Sequence, residues 1–492
     1  MAERADTGDV LLFLHHVRDL VGRPPVTCAP TASARSIAEQ MSRERVGSVV
    51  VVSAEGAPVG IVTDRDLRQK VVAGGRDPAA TPASAIMSTP LVTTRLAAFA
   101  FEAVLEMTRR AIHHLVVVED GRAVGVVSSH DLLALQTAHP VMLARDIVSA
   151  PSPAALAQLG ARVTALVRRL VAEGGSPHDI GRIVAELNDR IVSRLLRLTA
   201  AALEEAGQGP PPGPGCWLAF GSEARREQTL RTDQDNGLVY ADPPPDARES
   251  VAAWWGNFAG RAIAGLIAIG FPPCPGNAMA SNPTWCQPQS VWAGYFRRWI
   301  DHPSPEEVLA ASIYFDLRPV AGALDLGTAL SAVIRDEAPM SRVFLGLLAR
   351  DVATRRVPLT MFGNIGVAAR GPHRGAVDVK GAGSLQLVGA GRLAVLELGV
   401  TETNTVERFR AASAHALYTA AETREITDAY QHLMRLRLVH QLEQIDAGVP
   451  LDNHVAPSRL SHADALLFRD ALKTVERVQA GIRARFATDL LG

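Results

Sequence analysis

Between residues 218 and 240 the chain reads LAFGSEARREQTLRTDQDNGLVY, and the polar residues in it have a spacing that suits phosphate chemistry. Asp233 and Asp235 stand two apart, so on an extended strand their carboxylates point to one face. Like charges that close repel unless a cation lies between them, which makes the pair a candidate site for a hard divalent ion. The other reading is a solvated turn with Asn236 and Gly237. Ahead of the acids, Gly221 lets a backbone approach a phosphate, and Ser222 offers a hydroxyl and a helix-start amide. Arg225 and Arg226 are near enough to reach a triphosphate, for which the guanidinium fork is suited, although either could be a surface charge. Glu227 and Gln228 read as structural partners within the loop.

The elements that hold these residues follow from the pattern: an apolar strand ending at Phe220, a Gly-Ser turn, a short helix and a second strand. Upstream, two segments repeat one order of strand, helix, strand, strand, helix, with GSVVVV and HHLVVV as their β-branched runs. Residues 19–136 thereby resemble a tandem pair of CBS (cystathionine-beta-synthase) motifs, a module that binds adenosine-type ligands between its halves. The resemblance implies a regulatory site at the strand-to-helix junctions TDRD and SSHD. Thr63 and Ser128 would face a phosphate there, and Asp66 and Asp131 would accept from ribose hydroxyls. The plainer reading is a pair of N-caps, each with an acid in the first turn. A helical connector follows to Gln208, closed by GQGPPPGPG, where proline cannot continue a helix.

Gly-Ser followed by Asp-x-Asp resembles the signature of the DNA polymerase beta-type nucleotidyltransferase superfamily. That resemblance implies two magnesium ions holding the attacking and leaving oxygens of a nucleoside triphosphate in line. It also implies a third carboxylate from a neighbouring strand, for which Asp316 in ASIYFDLRPVAG is the candidate; the alternative is an ion pair with Arg318. Taken with YFDLRPVAG, VDVKGAGSLQLVGAGRLAVLELGV and LRLVHQLEQI, the chain resembles from about 17 to 486 a bacterial family of CBS-coupled nucleotidyltransferases related to the protein-PII uridylyltransferases. Ala224 stands where that family usually has glycine. From Met361 the chain reads as paired strands with glycine turns that pass into a helix, and in it Asp378 and Lys380, alternating around Val379, resemble the relatives' D-x-K-x-x-G segment, which implies a phosphate or protein-substrate contact for Lys380; a strand with one polar face is the alternative. His440 and His454 read as isolated, with no metal pattern.

The expected fold is α/β and multidomain: an N-terminal extension (1–16), the tandem CBS pair (17–138), the connector (139–209), a nucleotidyltransferase domain with a mixed sheet (210–335) and a C-terminal helical substrate domain (336–492). The expected reaction is transfer of a nucleoside monophosphate to a protein or small-molecule acceptor, regulated by an adenine nucleotide, in a homodimer formed through the CBS pair. A non-catalytic nucleotide sensor is the alternative. The bulk numbers fit: 50 basic against 51 acidic residues count against a nucleic-acid substrate. Four dispersed cysteines with no C-x-x-C pairing argue against a zinc site and, more strongly, against a disulfide framework. With no secretory pattern and no membrane-length apolar run, a cytoplasmic location is expected.

Overall fold

The computed structural model describes residues 16–98, 100–129, 131, 140–230, 233–304, 307 and 312–488. Of the expected N-terminal extension only His16 falls among them, and residues 132–139 of the helix expected to close the second repeat fall outside. The chain divides into two compact units, Met1–Met142 and Leu143–Gly492, each taken by itself below.

In the first unit the repeat is explicit. One copy has β1 (Thr27–Cys28), α1 (Ala34–Glu44), β2 (Ser48–Val52) and β3 (Pro58–Thr63); the other has β4 (Thr93–Thr94), α2 (Ala100–Arg110), β5 (His114–Glu119) and β6 (Arg122–Ser128). In both three-stranded sheets the first strand is parallel to the second, and the second is antiparallel to the third. The register slips after Val51 in one sheet and after Val117 in the other, so even the irregularity is repeated. The runs are continuously apolar because both faces are buried. Val49 and Val51 pack under Ile37 and Met41, while Val50 and Ile61 meet Val116 of the other copy.

The second unit opens with the helical hairpin α3 (Pro153–Ala172) and α4 (Pro177–Glu205), each begun by a serine cap and a first-turn proline. Its mixed sheet has the order β10-β7-β8-β9, formed by β7 (Gly215–Phe220), β8 (Asn236–Tyr240), β9 (Cys286–Pro288) and β10 (Leu317–Gly322). The central β7 is antiparallel to both neighbours, and β9 runs parallel to β8. Around it lie α5 (Gly221–Ala224), α6 (Arg248–Ile269), α7 (Gln289–Asp301), α8 (Leu324–Glu337), α9 (Arg342–Thr354), α10 (Leu385–Leu398), α11 (Thr405–Ala414), α12 (Ala420–Ala447) and α13 (His462–Phe486).

One hydrophobic core joins Leu218, Phe220 and Trp292 to Phe344, Phe409, Leu433, Phe468 and Ile482. Each such side chain contributes about 1.5–3 kcal/mol on burial. This core crosses residues 335 and 336 without a break, so the sheet and the C-terminal helices share one interior.

Two local expectations are corrected. The segment after Met361, read as paired strands, is loop up to a two-residue strand, β11 (Val377–Asp378), which pairs with the distant β12 (His454–Val455). Lys380 then opens a wide helical turn, Lys380–Ser384. Asp378 and Lys380 therefore do not alternate along one strand face; the Asp378 carboxylate instead accepts from the Gly381 amide at 2.9 Å.

Candidate functional site

The Gly-Ser turn and the Asp-x-Asp segment meet at one end of the mixed sheet. At the end of β7 the Phe220 amide donates to the Asp235 carbonyl at 2.9 Å, which fixes the turn against the acids. Gly221 has φ of +54°, and a Cβ there would lie 3.0 Å from Asp235 Oδ2. Any other residue would be both strained and crowded. The acids precede β8 rather than lie within it, in an extended stretch where Gln234 bridges to Pro273. Alternation still operates: Gln234 is buried, while Asp233 is exposed and Asp235 half-buried. Asn236 is not part of a solvated turn. It is buried in β8, where it donates to Gln234 Oε1 at 3.2 Å and accepts from the Ala280 amide at 2.9 Å.

Asp233, Asp235, Ser222, Arg225 and Lys380 line one cavity of about 190 Å³. Tyr430 and Arg437 of α12 line it as well, together with Asp452 and Asn453. Burial pushes the Asp235 carboxyl up and Asp233 adds to this, against a hydrogen bond from Cys274 and the charges of Lys380 and Arg225. Burial and Arg437 push the Lys380 ammonium down, opposed by the two acids. Anionic and cationic groups thus stand in one small space, where Arg225 is paired with Glu227. Beneath the turn, burial raises the Glu223 carboxyl to about 8, with Asp189 and Asp235 adding to the effect and Arg318 opposing it.

Two expected members stand elsewhere. Asp316 is fully buried at a bend immediately before β10 and accepts from three guanidiniums: Arg225 (2.5 Å), Arg392 (2.9 and 2.6 Å) and Arg408 (2.6 Å). Those arginines hold its carboxyl well below the usual range despite burial, and it does not line the cavity. The expectation of a third ligand is corrected accordingly, because both its oxygens are occupied by internal cations. Nor does it pair with Arg318, which makes a two-pronged contact with Asp189 at 2.7 and 2.9 Å. Arg226 is half-buried with φ of +56° and is not among the lining residues. Arg225 serves both places: it lines the cavity, and it also donates to Glu227 at 2.7 Å.

Arg437 and Tyr430 were not singled out by the sequence reading. The signal for them is a polar residue recurring on the apolar stripe of a long helix, as at Tyr430, Leu433, Met434, Arg437 and Gln441, all of them buried. A second correction concerns the histidines. His440 and His454 are not isolated: with His373 they gather around Asp452.

In the first unit both junction pairs close on themselves. Asp66 accepts from the Thr63 amide (2.9 Å) and hydroxyl (2.7 Å), and Asp131 accepts likewise from Ser128 (2.8 and 2.7 Å). Their surroundings differ. Asp66 is buried and also holds Lys70 (2.8 Å) and Ser88 (3.0 Å). Ser128 and Asp131 line a cavity of about 640 Å³ together with Arg23, His113 and His114, whereas Thr63 and Asp66 do not.

Comparison with known proteins fits this layout. Residues 161–306 match the family described as "Putative nucleotidyltransferase DUF294", residues 342–486 match its "Putative nucleotidyltransferase substrate binding domain", and residues 17–73 and 83–137 match the CBS domain. The first of these begins inside α3, within the helices that the sequence reading set apart as a connector. An uncharacterized protein of Methanopyrus kandleri is 37% identical over 121 residues, 24% of this chain and 62% of its own length. The CBS domain-containing protein YhcV of Bacillus subtilis is 32% identical over 120 residues, 24% of this chain and 84% of its own. Among solved structures, a CBS domain protein from Pyrobaculum aerophilum complexed with AMP is 32% identical, covering 25% of this chain and 99% of that one, with a TM-score of 0.23. Among the described residues no helix is long and apolar enough to cross a membrane.

Proposed function

The chain belongs to the family of CBS-containing nucleotidyltransferases, and from that premise we propose a magnesium-dependent transfer of a nucleoside monophosphate from a nucleoside triphosphate to a protein or small-molecule hydroxyl, as in the uridylyltransferases. The observation that carries the reading is the convergence of Asp233, Asp235, Ser222, Lys380 and Arg437 on one cavity.

The residues fit the ion. Magnesium prefers a few carboxylate oxygens and completes its shell with water and phosphate. Burial, with Asp233 adding to it, disfavours the charged form of Asp235, and a bound cation would restore that form. When bound, the ion supplies charge neutralisation for the phosphates and a template for in-line displacement. The protein's own groups do the rest. Lys380 and Arg437 share the cavity with the acids and would take the non-bridging phosphate oxygens, with the guanidinium as a two-point contact. The Ser222 hydroxyl would hold the phosphate nearest the turn, where Gly221 leaves room for it. Arg225, tied to Asp316 and Glu227, would present a fixed charge at low reorganisation cost.

For the CBS pair, the 640 Å³ cavity with Ser128, Asp131 and Arg23 supports an adenine nucleotide as regulator. A cytoplasmic homodimer joined through this pair completes the proposal. The non-catalytic sensor retains one observation in its favour, the engagement of Asp316 away from the cavity.

Incubation with each α-labelled nucleoside triphosphate, magnesium and a cell lysate separates the two readings. Transfer is expected from the wild type and is expected to fall by about 10³-fold or more in Asp233→Asn with Asp235→Asn. Equal labelling by both proteins, or nucleotide stabilisation without magnesium and without turnover, overturns the catalytic reading.

A further inference from the structure

The loop-and-ribbon structure beside the nucleotide cavity carries a second group of ligating side chains. His373 precedes β11, and Asp452 and His454 stand at the start of β12; the two strands pair with Asp378 opposite His454. His373 Nδ1 lies 3.7 Å and His454 Nδ1 3.9 Å from Asp452 Oδ2, and one ligand atom from each residue can be chosen so that all lie within 4.8 Å of one another. His454 Nδ1 is buried and has no hydrogen-bond partner. A buried imidazole nitrogen without a partner loses its hydration for nothing in return, unless something else occupies the position it faces.

We propose that His373 Nδ1, His454 Nδ1 and Asp452 Oδ2 bind one transition-metal ion of the zinc class. Imidazole and carboxylate bind such ions at about 2.0–2.2 Å, so tetrahedral ligands stand about 3.4 Å apart. The two Nδ1–Oδ2 separations lie within about 0.5 Å of that value. The remaining oxygen of the acid is already engaged as in established sites: His440 Nε2 bonds Asp452 Oδ1 at 2.9 Å, and the His454 amide donates to the same oxygen at 2.9 Å. Such outer bonds orient the carboxylate and leave Oδ2 free to face an ion. His373 and Asp452 are partly exposed, so the ion has a path in from solvent and a position open to water.

The competing account is an acid surrounded by histidines that serve only as ion-pair partners. The unpartnered, buried His454 Nδ1 argues against it. The His373 and His454 rings are parallel within 8° at a centroid distance of 3.4 Å, so an ion held by both Nδ1 atoms requires the rings to splay, which the partly exposed loop position of His373 allows.

The position gives the ion a task. Asp452 and Asn453 also line the nucleotide cavity, and the Asn453 carbonyl accepts from the Val379 amide at 2.9 Å, one residue before Lys380. An ion joining His373 to Asp452 and His454 clips the approach to β11 onto β12 and so fixes the wall that carries Lys380.

The inference is tested on the full-length protein, stripped by chelator and kept in excess magnesium so that hard carboxylate sites are filled. Zinc is expected to bind at one equivalent per chain and to survive gel filtration. Cobalt in its place is expected to give the intense visible bands of a low-coordinate site. His373→Ala with His454→Ala is expected to weaken binding by at least 100-fold, and His440→Phe by 10–100-fold. His373→Ala alone, in a loop position, serves if the double variant fails to fold. Amide exchange over 373–380 is expected to slow on zinc addition. No stoichiometric binding, or equal binding by the histidine variants, overturns the site; binding with unchanged exchange overturns the clip. Neither result depends on the nucleotidyl-transfer reading, since no readout uses turnover.

Discussion

Asp235 and Asp316 sit at the same end of the same sheet, and they have opposite environments. Phe220, the last residue of β7, bonds the Asp235 carbonyl on one side and pairs with Leu317, the residue after Asp316, on the other. The two acids thus flank one strand end. Asp235 is pushed toward its neutral form by burial and by Asp233, while Asp316 is held ionised by Arg225, Arg392 and Arg408. Topology brought both to the edge where an ion is expected. The arginines, which α10 and α11 supply to one acid and not to the other, decide which remains available.

The sharpest way to break the comparison is to neutralise Asp316. Asp316→Asn leaves three buried guanidiniums without their carboxylate, and a loss of about 3–5 kcal/mol in urea unfolding is expected, typical of one partner removed from a buried pair. A near-neutral result would mean that the cluster is not what holds this acid. Next in size, Lys380→Gln should lower the rate of nucleotidyl transfer by about 10²-fold with little change in unfolding midpoint, as when one preorganised charge is removed from a reacting phosphate. Parallel losses of rate and stability would instead assign Lys380 to the fold.

The smallest effect concerns Glu223, below the turn. Its carboxyl titrates near 8 in the folded chain and about 4.3 when unfolded, so the folded state binds more protons between those values. That contribution is fully present below the unfolded value and is lost as pH rises through about 8. Glu223→Gln should therefore flatten the decline of stability between about pH 5 and 8 and leave the mutant relatively more stable at pH 9. An unchanged slope would show that Glu223 is already ionised at neutral pH.

Strand and turn chemistry carried much of this to the sequence level. GSVVVV and HHLVVV announced the repeat because a strand buried on both faces must be continuously apolar, and Val49, Val50 and Val51 are. Gly221 and Asp-x-Asp were legible because their spacing is local. Side-chain partners across long separations were not. Nothing near Asp316 in the sequence points to Arg392 or Arg408, 76 and 92 residues away. Thr63 with Asp66 and Ser128 with Asp131 have the same motif, and only the third dimension turns one pair toward a cavity and the other toward Lys70 and Ser88. The histidines around Asp452 escaped because β11 and β12 pair across more than seventy intervening residues, most of them helical.

The loop at Asn404 has a consequence for how such proteins diversify. Asn404 donates to the Arg225 carbonyl at 3.0 Å, Thr403 to the Ala224 carbonyl at 3.1 Å, and the Thr405 amide to Glu227 at 2.5 Å. The turn after the phosphate loop is therefore moulded by residues nearly 180 positions downstream. A chimaera that joins the first half of this chain to the second half of a relative would inherit that loop only if Asn404, Arg392 and Arg408 came with it. Matched halves rather than interchangeable ones are what lineage and engineering alike would have to carry forward.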